Sequence, residues 1–156
     1  MWTAVATDVP GDGNCMFHAV GVPMKKDAES LRKAVCDTIE KNADSLIHGV
    51  SVRQWIEWDG SSSVEAYVRR MRTKMWGGAF ELTLLSSILG IPLYVYSPDE
   101  GRKCRRITEV LPDLVLHAAL KDSVAELRQH DIRANPYISL LYVGKKHYMS
   151  LQLRKK

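Results

Sequence analysis

The order of the two hydrophobic periodicities constrains this chain most: helix-period segments come first, and strand-period segments follow Gly90. Asp27 is a good N-cap, and behind it Leu31, Ala34, Val35, Thr38 and Ile39 share one helical face. Ser62-Ser63-Val64-Glu65 reads as a capping box before a stripe of Val64, Tyr67, Val68, Met71 and Met75. Ala79 to Leu89 is strongly apolar with Gly90 as its stop, which predicts a largely buried helix. Ile91 to Tyr96 then reads as a strand, with Cys104 to Ile107 as a short partner. Ala118 to Gln129 has a helical pattern. Tyr137 to Val143 and His147 to Leu153 form a hairpin through Gly144, Lys145 and Lys146. Helices followed by strands predict an α+β domain, with a helical part packed on a small, mostly antiparallel sheet.

The densest chemistry lies before the first of these helices. Val9-Pro10-Gly11-Asp12-Gly13-Asn14 is turn chemistry, and Cys15-Met16-Phe17-His18-Ala19-Val20 resumes an apolar pattern limited by Gly21 and Pro23. This predicts a helix whose first turn holds Cys15. A glycine-rich turn can converge several N–H groups on one point, and a thiol at a helix N-terminus sits in the positive end of the dipole. That position lowers a free-thiol pKa of about 8.5, and the same N–H groups can hold an oxyanion. The plainer reading of these residues is a turn followed by a buried cysteine. His147, opening the last strand after a tight turn, is the candidate base; alone, its plainer reading is a half-exposed strand histidine. An early cysteine with a histidine far downstream suits nucleophilic catalysis, in which the two meet only in the fold.

Composition narrows the class. Apolar residues make up 46% and charged residues 26% of 156, the balance of one globular domain over 1–156. No stretch approaches the ~20 apolar residues of a membrane span, and no secretory signal opens the chain. Cys15, Cys36 and Cys104 are an odd count, which fits a reducing compartment and a cytoplasmic setting. The net charge of +4 is mild. The basic run Arg102-Lys103-Cys104-Arg105-Arg106 has no aromatic residue interleaved, so it reads as a solvated edge, with no nucleic acid partner expected. Cys15 and His18 lack a second pair at zinc spacing, so no metal is expected. His48, His117 and His130 read as surface or packing residues, and Trp55 and Trp58 as a satellite cluster.

Three segments together resemble one family. Gly11-Asp12-Gly13-Asn14-Cys15-Met16-Phe17-His18 resembles the nucleophile motif of the ovarian-tumour (OTU) cysteine proteases. Trp76-Gly77-Gly78-Ala79-Phe80-Glu81-Leu82 resembles their central block, and Gly144-Lys145-Lys146-His147-Tyr148 their terminal element. The compact length is similar to that of viral members.

The resemblance implies a papain-like fold and a deubiquitinase that needs no cofactor. The resemblance covers a core from about residue 8 to 153, and such an enzyme would act on ubiquitin and ubiquitinated proteins, with ubiquitin-like modifiers as further substrates, in the host cytoplasm if the source is viral. Cys15 would be the nucleophile and His147 the base, with Asp12 matching an aspartate often counted among the catalytic residues. The backbone of Asp12, Gly13 and Asn14 would form the oxyanion hole. Trp76, Gly77 and Gly78 would either line the substrate tail or simply turn the chain between two helices. Glu81 would cap or pair within the core. One departure stands out: many members carry Asp or Asn two positions after the histidine, where this chain has Met149. A thioether cannot orient an imidazole. The orienting group is then Asp8, Asp12, a backbone carbonyl or water, or is absent from a working dyad. A viral polyprotein protease and an inactive ubiquitin-binding module are the alternatives.

Overall fold

The computed structural model describes residues 2–9, 11–61, 63–73, 75–120, 136–144 and 147–155. Five strands form one mixed sheet in the order β1-β7-β6-β4-β5: β1 (Trp2–Thr7), β4 (Leu93–Asp99), β5 (Lys103–Val110), β6 (Ile138–Val143) and β7 (His147–Lys155). Three of the four pairings are antiparallel and β4 with β6 is parallel, so the expected mostly antiparallel sheet is present. The helices are α1 (Cys15–Met24), α2 (Ala28–Lys41), α3 (Val52–Trp58), α4 (Val64–Met71), α5 (Ala79–Leu89) and α6 (Leu114–Ala119). A two-residue ladder, β2 (Leu46–Ile47) with β3 (Val50–Ser51), turns through His48 and Gly49, both at positive φ. Among the described residues no helix is long and apolar enough to cross a membrane.

Local chemistry sets most element ends. Asp27 accepts from Ser30 N–H at 2.7 Å and Ser63 accepts from Ala66 N–H at 3.0 Å, caps worth about 1 kcal/mol each. Gly90 ends α5 at φ 72, a left-handed stop that favours glycine. α1 runs through Gly21 and Pro23 to Met24, further than those residues suggest, and stops at left-handed Lys25. Gly21 is needed there because a Cβ would lie 2.3 Å from the Lys26 carbonyl oxygen.

β1 was not legible as a strand in the sequence. It pairs antiparallel with β7, Thr7 standing opposite Ser150. The helical pattern at 118–129 falls largely outside the described residues, which hold α6 and then resume at 136. From Lys103 onward the basic run lies on β5, at the sheet edge, and its described side chains are exposed, as expected of a solvated edge. His48 is exposed and bonded to the Leu111 carbonyl, and His117 packs with its ring on the Ser87 carbonyl; His130 lies outside the described residues.

The core lies between the helices and one sheet face. Phe17, Ala19 and Val20 of α1 meet Leu31 and Val35 of α2, Tyr67 of α4, Leu84 and Ile88 of α5, and Leu93, Ile138 and Leu140 of the sheet. α1 packs along β7 and β6. That packing brings the start of α1 to the start of β7. Trp55 stacks on Phe80 of the main core at 5.9 Å, so it joins that core and not the satellite cluster expected, while Trp58 meets its edge and stays exposed.

Candidate active site

Cys15 is the first residue of α1, as the turn chemistry predicts. Its sulfur receives the backbone N–H of Tyr148, the residue after His147. The two ends of the chain therefore meet at the head of α1, and Cys15 and His147 are brought to one place.

His147 is oriented by Asp8. Its Nε2 lies 2.9 Å from Asp8 Oδ1. The carboxylate accepts only, so Nε2 carries the proton and Nδ1 keeps the lone pair. Strand pairing accounts for the contact. Continuing the Thr7–Ser150 register by one residue sets Asp8 beside Met149, on the strand face shared by His147. The carboxylate that meets His147 thus comes from Asp8, the residue that follows β1, and not from position 149. The bond from His147, helped by Val9 N–H, holds Asp8 below the usual carboxylate range.

Asp12 has a different task. Its carboxylate accepts from Asn14 N–H at 2.9 Å and lies 3.8 Å from His18 Nε2. It fixes the nucleophile turn, while the bond from His147 goes to Asp8. Of the backbone expected to form the oxyanion hole at Asp12, Gly13 and Asn14, the Asn14 N–H is bonded to Asp12, while the neighbouring Cys15 N–H leans on the Asp12 carbonyl at 3.2 Å.

A second expectation reverses. Burial pushes the Cys15 thiol above its ordinary range, and the Asp12 charge adds to that. The N–H groups of Tyr148, Met16 and Cys15 pull the other way and lose. Cys15 is completely buried, so its desolvation outweighs the helix N-terminus. A thiol shifted in this direction depends on a neighbouring base to take its proton. Alkylation of Cys15 by iodoacetamide, followed by peptide mapping, should therefore keep rising with pH beyond the ordinary thiol pKa of about 8.5. A plateau already reached below neutral pH would contradict this, because it would show a preformed thiolate.

Trp76, Gly77 and Gly78 lie against the nucleophile helix. A Cβ on Gly77 would come within 2.9 Å of the Met16 sulfur, whereas Gly78 faces open space and Trp76 is exposed. Gly77 is thus a packing glycine. Glu81, buried under this turn, does both things expected of it: it accepts from Gly78 N–H at 3.3 Å and from the Tyr67 hydroxyl. A groove of about 590 Å³ opens beside Tyr148, lined by Ala79, Leu82, Ile107, Val110 and Tyr142.

Sequence reasoning missed Arg32. It is buried on α2, with its guanidinium on the Phe17 ring at 4.6 Å and its donors on the nucleophile turn. The available signal was a cation at i+4 from Ala28 and i−3 from Val35, inside an otherwise apolar face. No group of three or more potential metal ligands occurs among the described residues.

Residues 10–148 match the family described as OTU-like cysteine protease. Over 153 residues the chain is 30% identical to OVARIAN TUMOR DOMAIN-containing deubiquitinating enzyme 4 of Arabidopsis thaliana, covering 93% of this chain and 42% of that protein. It is 26% identical over 102 residues to ubiquitin thioesterase otu2 of Schizosaccharomyces pombe, covering 61% and 33%. The chain spans less than half the length of these curated relatives. The fold is similar to the viral OTU domain protease from Dera Ghazi Khan virus, with TM-score 0.66, 20% identity, and 99% and 87% of the two chains covered. It is also similar to an OTU deubiquitinase from Wolbachia pipientis wMel bound to ubiquitin, with TM-score 0.62, 17% identity, and 96% and 95% covered.

Proposed function

Because the chain belongs to the OTU-like cysteine protease family, we propose that it is a deubiquitinase hydrolysing the isopeptide bond at the ubiquitin C-terminus. The observation that carries the reading is the convergence of Cys15 with His147, itself bonded to Asp8 at 2.9 Å.

In this reading His147 Nδ1 takes the Cys15 proton as the sulfur attacks the glycine carbonyl carbon. Backbone N–H groups at the head of α1 stabilise the resulting oxyanion. The C–N bond then breaks, and His147 gives its proton to the departing lysine amine. A thioester remains on Cys15. Water, deprotonated by His147, attacks that thioester and restores the thiol. Asp8 holds the ring by Nε2 throughout and stabilises the imidazolium. The tail lies past Gly78, and its partners are ubiquitin and ubiquitinated proteins. The chemistry uses only these side chains and water. A reducing compartment, such as the cytoplasm, suits an enzyme whose nucleophile is a thiol.

Two finer readings remain within the same site. Viral OTU proteases share the fold, which keeps polyprotein cleavage as a second reading, though at 20% identity the likeness concerns fold alone. Ubiquitin-like modifiers are further substrates to compare. Hydrolysis of C-terminal reporters of ubiquitin and ubiquitin-like modifiers, alongside polyprotein junction peptides, tests the assignment. Turnover of the ubiquitin reporter is expected to be fastest. Cleavage of junction peptides alone would replace the proposal with the polyprotein reading, and binding of ubiquitin with no turnover would replace it with an inactive module.

A further inference from the structure

Arg32 and Asp12 grip the same peptide group from opposite ends. The carbonyl of Gly13 accepts from Arg32 Nη2 at 2.7 Å, and the N–H of Asn14, the other end of that peptide, donates to Asp12 Oδ1 at 2.9 Å. Two charged side chains thus fix the plane immediately preceding the nucleophile. Arg32 is itself locked: Nη1 donates to the Met71 carbonyl at the end of α4, at 2.8 Å.

The guanidinium has a second effect. Asn14 occupies the N-cap position of α1, where an asparagine oxygen ordinarily accepts from the helix's own first N–H groups. Here Asn14 Oδ1 accepts from Arg32 Nε at 2.8 Å and makes no capping bond. The side chain best placed to occupy the head of α1 is held away from it. The Met16 N–H there faces the sulfur and is available to an oxyanion, whereas the Cys15 N–H leans on the Asp12 carbonyl.

We propose that Arg32 and Asp12 are positioning residues: a two-sided clamp on the Gly13–Asn14 peptide that presents the head of α1, uncapped, to the developing oxyanion. The inference rests on the reading of Cys15 as nucleophile. It assigns Asp12 an acceptor's role, not that of a catalytic acid, and it assigns Arg32 a role in transition-state stabilisation with no contact to substrate.

The clamp makes separable demands on chemistry and on charge. Arg32→Lys keeps the charge but cannot span the Gly13, Asn14 and Met71 acceptors. Asp12→Asn keeps an oxygen that can accept from Asn14 N–H, whereas Asp12→Ala removes it. Steady-state hydrolysis of a ubiquitin C-terminal reporter, iodoacetamide alkylation of Cys15 read by peptide mapping, and thermal midpoints are measured on the wild type and these three variants. Alkylation forms no oxyanion, so it reads the thiol alone. For Arg32→Lys and Asp12→Ala we expect kcat to fall roughly 10- to 100-fold, with KM and the alkylation rate within about threefold of wild type. Asp12→Asn is expected to retain most of kcat. Equal, large losses in Asp12→Asn and Asp12→Ala would overturn the inference by showing that the charge is what matters. Unchanged kcat in Asp12→Ala would also overturn it, and Asp12 is on a partly exposed turn that tolerates the change even if Arg32→Lys fails to fold. A wild type that does not hydrolyse the reporter would instead refute the underlying reading of function.

Discussion

Cys15→Ala will fold and will not turn over. Hydrolysis of a ubiquitin C-terminal reporter is expected to fall by roughly 10⁴-fold or more, the scale on which a covalent nucleophile is lost. Its thermal midpoint should move little, because the change deletes one buried heavy atom and costs about 1 kcal/mol. Cys36 cannot substitute: it is buried on α2, away from β7, and burial pushes its thiol up to about 11. Cys104 cannot substitute either, since it lies exposed on the edge strand β5. Retained hydrolysis by Cys15→Ala would reject Cys15 as nucleophile.

The second large effect concerns the acid. Asp8→Ala removes the only side-chain acceptor recorded for His147 Nε2 among the described residues. The ring then loses its tautomer and orientation, and kcat should fall roughly 10- to 100-fold, less than in a serine enzyme because a thiol needs less activation. Asp8→Asn keeps an acceptor oxygen and should lose less. Met149 supplies the decisive control, because it sits beside Asp8 in the strand register and shares the face of His147. Met149→Asp should do little in the wild type, where Asp8 already holds the ring, and should restore much of kcat in the Asp8→Ala background. Wild-type kcat in Asp8→Ala would mean that the pair works as a dyad and that the 2.9 Å bond contributes nothing to turnover.

The pH dependence follows from the same pair. The folded-state pKa of Asp8 is depressed, so its bond to His147 is present above the carboxylate range and is lost as pH falls through that lowered value.

What could be read from the sequence was the chemistry that acts over a few residues. Asp27 caps, Gly90 stops α5, and the turn before Cys15 opens a helix because each depends on near neighbours alone. The hairpin of β6 and β7 was legible for the same reason. What escaped depends on partners far along the chain. β1 has small alanines where a strand would ordinarily carry bulk, and only pairing with β7 makes it a strand. Asp8 and Asp12 were equal candidates for orienting His147 until that pairing set Asp8 beside β7. Arg32 acts only because α2 packs its guanidinium under the nucleophile turn. The thiol of Cys15 ran against expectation for a related reason: the helix N-terminus is local and visible in sequence, whereas the burial that overrides it is a property of the assembled core.

The most direct measurement is reaction with ubiquitin carrying an electrophile in place of its C-terminal carboxylate, followed by peptide mapping of the adduct. A single covalent adduct on the peptide containing Cys15, absent in Cys15→Ala, is the predicted result. No adduct, or one carried by Cys104, would contradict the account.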